Sequence, residues 1–113
     1  MTNVRSLTGA DFEREVTRSD VPVLVDYWAP WCGPCHTLRP VIEEIAAEHA
    51  ETLKVVKVNV DDEPRLAASA GVQGIPLVVL YRDGQPVARA VGAQPKAQLQ
   101  SALRLDGDPP NAA

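Results

Sequence analysis

The chain has 113 residues, which suits a single domain whose core is large enough to be stable without structural disulfides or metals. Its formal net charge of −4 offers no electrostatic basis for binding nucleic acid or an anionic membrane. The N-terminal residues contain no apolar stretch of signal-peptide length and no segment approaches a membrane span, so we expect a soluble, cytoplasmic monomer.

Helix and strand signals alternate from the N-terminus. Thr8 and Asp11 are spaced like a capping box and predict a first helix. Residues 21–28 form a nearly continuous apolar run, which predicts a strand covered on both faces. Residues 34–49 carry apolar side chains at helical spacing and predict a long helix with Pro40 inside it.

The next signals predict a second strand and a short helix. Residues 53–60 are again mostly apolar and predict a strand. A short helix is predicted to begin at residues 61–64, with an aspartate as its cap and a proline in its first turn, and to stop at Gly71.

The last third of the domain predicts a hairpin and a final helix. Residues 75–81 and 86–91 are predicted strands joined by a turn at residues 82–85. The second of these strands should lie at the edge of the sheet, where proline is tolerated. Residues 95–105 predict a helix with leucines one turn apart.

Together these elements predict one α/β domain at residues 1–105, a sandwich of helices around a mixed sheet. The strand–helix–strand unit over residues 21–60 needs a right-handed crossover, so its two strands should be parallel. The later hairpin should add an antiparallel edge. Residues 106–113 contain no apolar side chain large enough to anchor them, and we expect a disordered tail there.

Two cysteines, Cys32 and Cys35, lie where the first predicted strand meets the long helix. In a reducing compartment such a pair indicates catalysis or metal binding rather than a structural disulfide. A zinc site with two histidines requires a second ligand pair, but His49 has no histidine partner at the right spacing and His36 adjoins Cys35. We expect no bound metal, which leaves a redox pair or, alternatively, two inert core cysteines.

The start of a helix suits thiol chemistry. Residues three apart in a first turn share a face, which brings two cysteines within reach of a disulfide. Free backbone N–H groups and the helix dipole should stabilise a thiolate on Cys32, with Cys35 more buried and acting as the resolving thiol. Pro34 has no N–H and withholds one donor, which should make the pair a stronger reductant; alternatively Pro34 is simply a good first-turn residue.

Asp26 is a charged residue within the apolar run that precedes the cysteines. Burial should raise its pKa, and its position beneath the helix start suits proton exchange with Cys35. Lys57, in the neighbouring predicted strand, supplies the alternative of a carboxylate held only by an ion pair. Trp28 should pack beneath the cysteines, and Trp31 should lie at the surface.

Residues 25–35, with the sequence VDYWAPWCGPC, resemble the active-site segment of the thioredoxin family. Gly74, Ile75 and Pro76 resemble that family's cis-proline loop, and Gly84 and Gly92 fall where the family has glycine. The resemblance covers about residues 4 to 105. It implies a thioredoxin fold, a three-layer α/β/α sandwich with a central mixed five-stranded sheet flanked by four helices.

The resemblance also implies a function. It implies reduction of protein disulfides with a Cys32–Cys35 disulfide as the redox-active group, no bound cofactor, and recycling by a flavoprotein thioredoxin reductase that uses NADPH. By the same resemblance Cys32 is the nucleophile, Cys35 resolves the mixed disulfide and Asp26 carries the proton. Four neighbouring residues should tune the pair: Gly33, Pro34, Lys57 and Pro76. The family's docking surface for polypeptide substrates corresponds to Trp31, Gly33, Pro34, Gly74, Ile75, Pro76, Val91, Gly92 and Ala93.

Two positions depart from the family's pattern. His36 stands where lysine or arginine is usual, and Leu77 follows the cis-proline where threonine is common. Both adjoin the site, so they bear on redox potential and target preference rather than on the reaction class. Two other functions are alternatives: a disulfide oxidase or isomerase on the same fold, and a redox-independent binding subunit of another enzyme.

Overall fold

A computed structural model describes residues 4–105; the predicted tail at residues 106–113 lies outside the described residues. The first α-helix passes directly into a π-helical turn. The elements in chain order are β1 Arg5–Ser6, α1 Gly9–Phe12 with the π-helical turn Glu13–Thr17, β2 Val23–Trp28, α2 Gly33–Glu48, β3 Lys54–Asn59, α3 Pro64–Ser69, β4 Leu77–Arg82, β5 Gln85–Val91 and α4 Lys96–Ala102.

The five strands form one mixed sheet in the order β1-β3-β2-β4-β5. β2 and β3 are parallel, as their helical crossover requires, and β4 and β5 are antiparallel with β5 at the edge. These pairings confirm the predicted arrangement. β1 is parallel to β3 and pairs through Arg5 and Ser6 alone. A strand of two residues is too short for a periodic pattern, so only the family resemblance implied a fifth strand.

Helices cover both faces of the sheet, which makes the fold the expected three-layer α/β/α sandwich. Side chains alternate along each strand, so Leu24 and Val25 belong to cores on opposite faces. α2 and α4 cover the face of Leu24, where α4 contributes the fully buried Leu99. α1 and α3 cover the face of Val25, where Phe12 packs edge-on against Tyr81. Both faces of β2 and β4 are therefore buried, which explains their continuous apolar runs.

Several boundaries differ from the predictions by two or three residues. β2 begins at Val23, and Val21, predicted to be in the strand, is 40% exposed. β4 begins after Pro76, which has no N–H to donate to a strand ladder. α4 ends at Ala102, and Arg104 has a φ of 61°, outside the helical region.

The predicted cap of the first short helix is correct in position, whereas that of the second was wrong. Thr8 is the N-cap of α1, but its Oγ1 donates to Asp11 Oδ2 over 3.1 Å, and among the described residues its side chain makes no capping bond to a backbone N–H. α3 is capped by Glu63 rather than by an aspartate, because Asp61 lies too far ahead of Pro64 to reach the first free N–H groups. Asp61 N–H donates instead to Asn59 Oδ1 over 2.9 Å.

The hairpin between β4 and β5 is as predicted. Its two central residues, Asp83 and Gly84, have φ values of 52° and 78°. Two left-handed residues in a two-residue loop are typical of a type I′ turn, whose twist matches that of the strands. Gly84 is also close to the chain beneath it, since a Cβ atom there would lie 2.5 Å from Thr17 O. Glycine is therefore required at this turn on two counts.

Candidate active site

Cys32 and Cys35 form a disulfide at the junction of β2 and α2, with a Cα–Cα distance of 5.3 Å. Cys32 is the N-cap of α2 and has an extended backbone, whereas Cys35 lies in the first helical turn. The two residues are equally buried, each 4% exposed, so the prediction that Cys35 is the more buried was wrong. Both cysteines belong with Ala29 to one buried cluster, against which Trp28, Val60 and Ile75 pack.

The backbone around Cys32 presents a donor to its sulfur. Cys35 N–H donates to Cys32 Sγ over 3.2 Å. Pro34, one residue earlier, has no N–H to donate. An N–H group and the positive end of the helix dipole both favour negative charge on the Cys32 sulfur when the disulfide is open.

Asp26 lies on β2 with only 7% of its surface exposed. Burial raises its pKa to about 7, while the charge of Lys57 acts in the opposite direction. Lys57 faces Asp26 in the strand pairing, but Asp26 Oδ1 has no hydrogen-bond partner among residues 4–105. Lys57 Nζ lies 5.4 Å from the centre of the Trp28 ring. The arrangement argues against a carboxylate held simply by an ion pair.

A cavity of about 420 Å³ opens beside the disulfide. Asp26 and Cys35 both line it, together with Trp28, His36 and Lys57. Asp26 and Cys35 therefore share one space that is large enough to hold water. The sequence pattern did not predict this cavity, because its walls come from α2 and from three different strands.

The two tryptophans lie where they were predicted. Trp28 is half-buried and packs against the cysteine pair. Trp31 is 70% exposed, and its Nε1–H donates to Asp61 Oδ2 over 2.9 Å. Sequence reasoning missed this role of Asp61 and placed an aspartate in this region as a helix cap. No local pattern could have linked residues that lie thirty positions apart in the chain.

Two further loops adjoin the cysteine pair. Ile75 packs against the disulfide, and its peptide bond to Pro76 is cis, as the resemblance implied. Pro76 O accepts a hydrogen bond from Gly92 N over 2.8 Å, which joins the two loops. Val91 is 57% exposed beside them, whereas Pro76 itself is buried. The exposed members of the predicted docking surface are Trp31, Gly33, Pro34, Gly74, Val91 and Ala93.

The two departures from the family's pattern differ in position. Leu77 is 1% exposed and packs in the core on the face of α1 and α3. Its side chain therefore contributes to the core. His36 is exposed, and its Nε2 lies 2.7 Å from Pro30 O.

Within residues 4–105, no group of three or more His, Cys, Asp or Glu side chains is arranged to hold a metal ion. No helix in the same range is long and apolar enough to cross a membrane.

Comparison with known proteins gives the family. A family model described as Thioredoxin matches residues 3–105. The chain belongs to the thioredoxin family. It is 50% identical over 99 residues to the thioredoxin of Haemophilus influenzae, covering 88% of this chain and 92% of that protein. It is 47% identical over 103 residues to thioredoxin 1 of Synechococcus elongatus (91% and 96% covered) and 46% identical over 101 residues to the thioredoxin of Porphyra purpurea (89% and 94% covered).

Thioredoxins are dithiol–disulfide oxidoreductases, and this member has the disulfide that such chemistry requires. The protein is therefore a protein-disulfide reductase whose redox-active group is the Cys32–Cys35 pair. Family membership also implies disulfide-containing substrates and a reductase partner in general terms. The fold, the reaction class and the redox pair expected from the sequence are confirmed.

Proposed function

We propose that Cys32 is the attacking nucleophile and Cys35 the resolving thiol. The observation that carries this assignment is the hydrogen bond from Cys35 N–H to Cys32 Sγ at the helix start, which favours a thiolate on Cys32. Cys32 attacks one sulfur of a substrate disulfide, forms a mixed disulfide and releases the other sulfur as a thiolate. Cys35 then attacks Cys32 Sγ, releases the second substrate sulfur and closes the Cys32–Cys35 disulfide. Two electrons pass to the substrate.

Asp26 is the proton carrier for the second step in this proposal. Cys35 must lose its proton before it can attack, because the thiolate is the nucleophile. The Asp26 carboxyl lines the same cavity as Cys35, and its pKa of about 7 lets it take up and release a proton near neutral pH. Lys57 opposes the effect of burial and so keeps that pKa from rising further. In this proposal four residues tune the cysteine pair without taking part in the exchange: Gly33, Pro34, Lys57 and Pro76.

Substrates dock on the mostly apolar rim around Cys32. Its members are Trp31, Gly33, Pro34, Gly74, Ile75, Pro76, Val91, Gly92 and Ala93. The exposed indole of Trp31 and the exposed side chain of Val91 support this surface, since large apolar side chains in water are common at binding sites. A flat rim with two joined loops suits an extended polypeptide better than a small charged thiol.

We also propose the bounds of the functional domain, the enzyme that recycles it and its cellular setting. Residues 1–105 form the functional domain, which the family match over residues 3–105 supports. Thioredoxin reductase, a flavoprotein using NADPH, returns the disulfide to the dithiol. The protein acts as a cytoplasmic monomer: within residues 4–105 the exposed large hydrophobic side chains are Val21, Trp31, Val87 and Val91, and two of these belong to the docking surface.

Reduction of insulin disulfides by NADPH and a thioredoxin reductase tests the proposal directly. We expect steady NADPH oxidation that depends on this protein and is lost in the Cys32→Ser variant. A redox-independent binding subunit would keep its partner in both cysteine variants, and an oxidase or isomerase would equilibrate with glutathione at a less negative potential. If the wild-type protein supported no NADPH oxidation in this assay, its proposed recycling by thioredoxin reductase would be wrong.

A further inference from the structure

His36 connects the two ends of the segment that carries both cysteines. Its Nε2 lies 2.7 Å from Pro30 O, two residues before Cys32, while His36 itself follows Cys35. A carbonyl oxygen only accepts hydrogen bonds, so Nε2 must carry the proton and donate. The side chain thus spans a loop from residue 30 to residue 36 that encloses Cys32 and Cys35.

The imidazole ring of His36 also packs against Trp28. Its centre lies 6.1 Å from that of Trp28 with an interplanar angle of 79°, an edge-to-face contact. Trp28 in turn packs against the buried cluster of Ala29, Cys32 and Cys35. The hydrogen bond to Pro30 and the contact with Trp28 therefore give the ring a defined position although it is exposed.

The bridge does not depend on the disulfide. When the disulfide opens, the cross-link between the Cys32 and Cys35 side chains is lost. The backbone bond from His36 N–H to Cys32 O is 3.3 Å long and that from Cys35 N–H to Cys32 Sγ is 3.2 Å, whereas the side-chain bond of His36 is 2.7 Å. Neither Pro30 O nor His36 Nε2 belongs to the disulfide, so the shorter bond can persist in the dithiol and in the mixed disulfide.

We propose that His36 is a positioning residue of the redox centre, whose hydrogen bond to Pro30 keeps Cys35 beside Cys32 while the disulfide is open. This inference rests on the proposed roles of the two cysteines. In the resolving step the Cys35 thiolate forms a bond to Cys32 Sγ, the Cys32–substrate bond breaks, and the departing thiolate takes up a proton. Holding the two sulfurs close increases the rate of this intramolecular step, while the first attack by Cys32 on a free disulfide gains little.

The test separates the two steps with a chromogenic probe. Reduced protein is mixed with a bis(nitro-carboxyphenyl) disulfide, which releases one coloured thiolate on attack by Cys32 and a second on resolution by Cys35. Stopped-flow absorbance resolves the two releases. His36→Phe keeps a ring against Trp28 but removes the donor, His36→Gln keeps an N–H at a similar reach, and Arg39→Gln is a control on the same helix.

We expect His36→Phe to slow the second release about fivefold, as the loss of one ordinary hydrogen bond implies, while changing the first release less than about twofold. His36→Gln should restore the second release, and Arg39→Gln should match the wild type. An unchanged second release in His36→Phe, or equal slowing in His36→Gln, would overturn the role of His36 alone. Mass spectrometry showing the first adduct on Cys35 of the wild type would overturn the proposed cysteine roles and this inference with them.

Discussion

Asp26 and Lys57 face each other across the parallel pairing of β2 and β3, yet Asp26 Oδ1 has no hydrogen-bond partner in the described part of the chain. Lys57 directs its ammonium towards the Trp28 ring, 5.4 Å from the ring centre. The lysine therefore acts on the carboxyl through its charge alone, and burial dominates the pKa of Asp26, which rises to about 7. A carboxyl that titrates near neutral pH can exchange protons with a thiol under physiological conditions.

Replacing Asp26 with alanine should stabilise the fold by an amount that grows with pH. Below about pH 4 the carboxyl is protonated in the folded and the unfolded chain, so the protonated form keeps its full contribution to stability. As the pH rises through the folded pKa of about 7, the contribution of the protonated carboxyl to the free energy of unfolding is lost, because Asp26 ionises more readily in the unfolded chain. The difference between the two pKa values corresponds to about 4 kcal/mol.

Denaturant unfolding of the wild type and the variant at several pH values measures this difference. Asp26→Asn, which preserves the size of the side chain but removes the carboxyl, is the matched control. Its free energy of unfolding, like that of Asp26→Ala, should lack the pH dependence that the carboxyl causes in the wild type. A gap between wild type and Asp26→Ala that stays constant from about pH 4 to pH 8 would contradict the prediction.

Replacing Asp26 should also slow the reduction of disulfides near neutral pH, because Cys35 loses its proton acceptor. Removal of a general base commonly costs about a hundredfold or more in rate, and water in the cavity beside Cys35 can recover part of that loss. Rates of insulin reduction by wild type and Asp26→Asn, compared from about pH 6 to pH 9, test this. Above the pKa of a free thiol, about 8.5, the two rates should converge, and a uniform deficit at every pH would argue for a different role.

The two cysteine variants should fail at different steps. Cys32→Ser lacks the nucleophile and should not reduce a disulfide. Cys35→Ser should attack once and stop, because no second thiol is present to resolve the mixed disulfide. Mass spectrometry after exposure to a disulfide substrate should show a covalent adduct on Cys32 of Cys35→Ser. An adduct formed equally well by Cys32→Ser, through Cys35, would reverse the assignment of roles.

Pro34→His should make the pair a weaker reductant. The substitution restores a backbone N–H near Cys32 Sγ and adds a partly cationic ring, and both stabilise the thiolate of the reduced form. A gain of about 1.4 kcal/mol corresponds to a potential about 30 mV less negative. Equilibration with a glutathione buffer measures the potential, and Pro34→Ala separates the N–H from the ring. An unchanged potential in both variants would leave Pro34 with a structural role only.

Gly84→Ala should cost about 2 kcal/mol of stability or more, because the new Cβ would meet Thr17 O at 2.5 Å in a left-handed turn. Gly71→Ala is the matched control. Gly71 has a similar φ of 70°, but a Cβ atom there would have the flexible guanidinium of Arg89 as its nearest neighbour, at 4.0 Å. Thermal unfolding of both variants should show the larger loss for Gly84→Ala. Equal losses would mean that left-handed strain alone accounts for the effect.

Local patterns were sufficient for most elements and for the redox pair. An apolar run of six to eight residues predicts a buried strand wherever it occurs, so β2, β3 and β4 were found within two residues of their ends. The turn at Asp83 and Gly84 follows from residue types that tolerate positive φ. The position of Cys32 at a helix start, and hence its chemistry, depends on neighbours within three residues. All of these are short-range properties of the chain.

Contacts between distant residues were decided by the packed structure. Trp31 meets Asp61 and Ile75 packs on the disulfide, although these residues lie far apart in sequence and carry no local signal for one another. The equal burial of Cys32 and Cys35 follows from that packing, since Ile75, together with Val60 and Trp28, covers the pair. Sequence placed Lys57 beside Asp26, but whether an ion pair forms depends on side-chain direction. The packed sheet directs the ammonium over Trp28 and leaves the carboxyl buried, because burial and orientation arise only when distant segments meet.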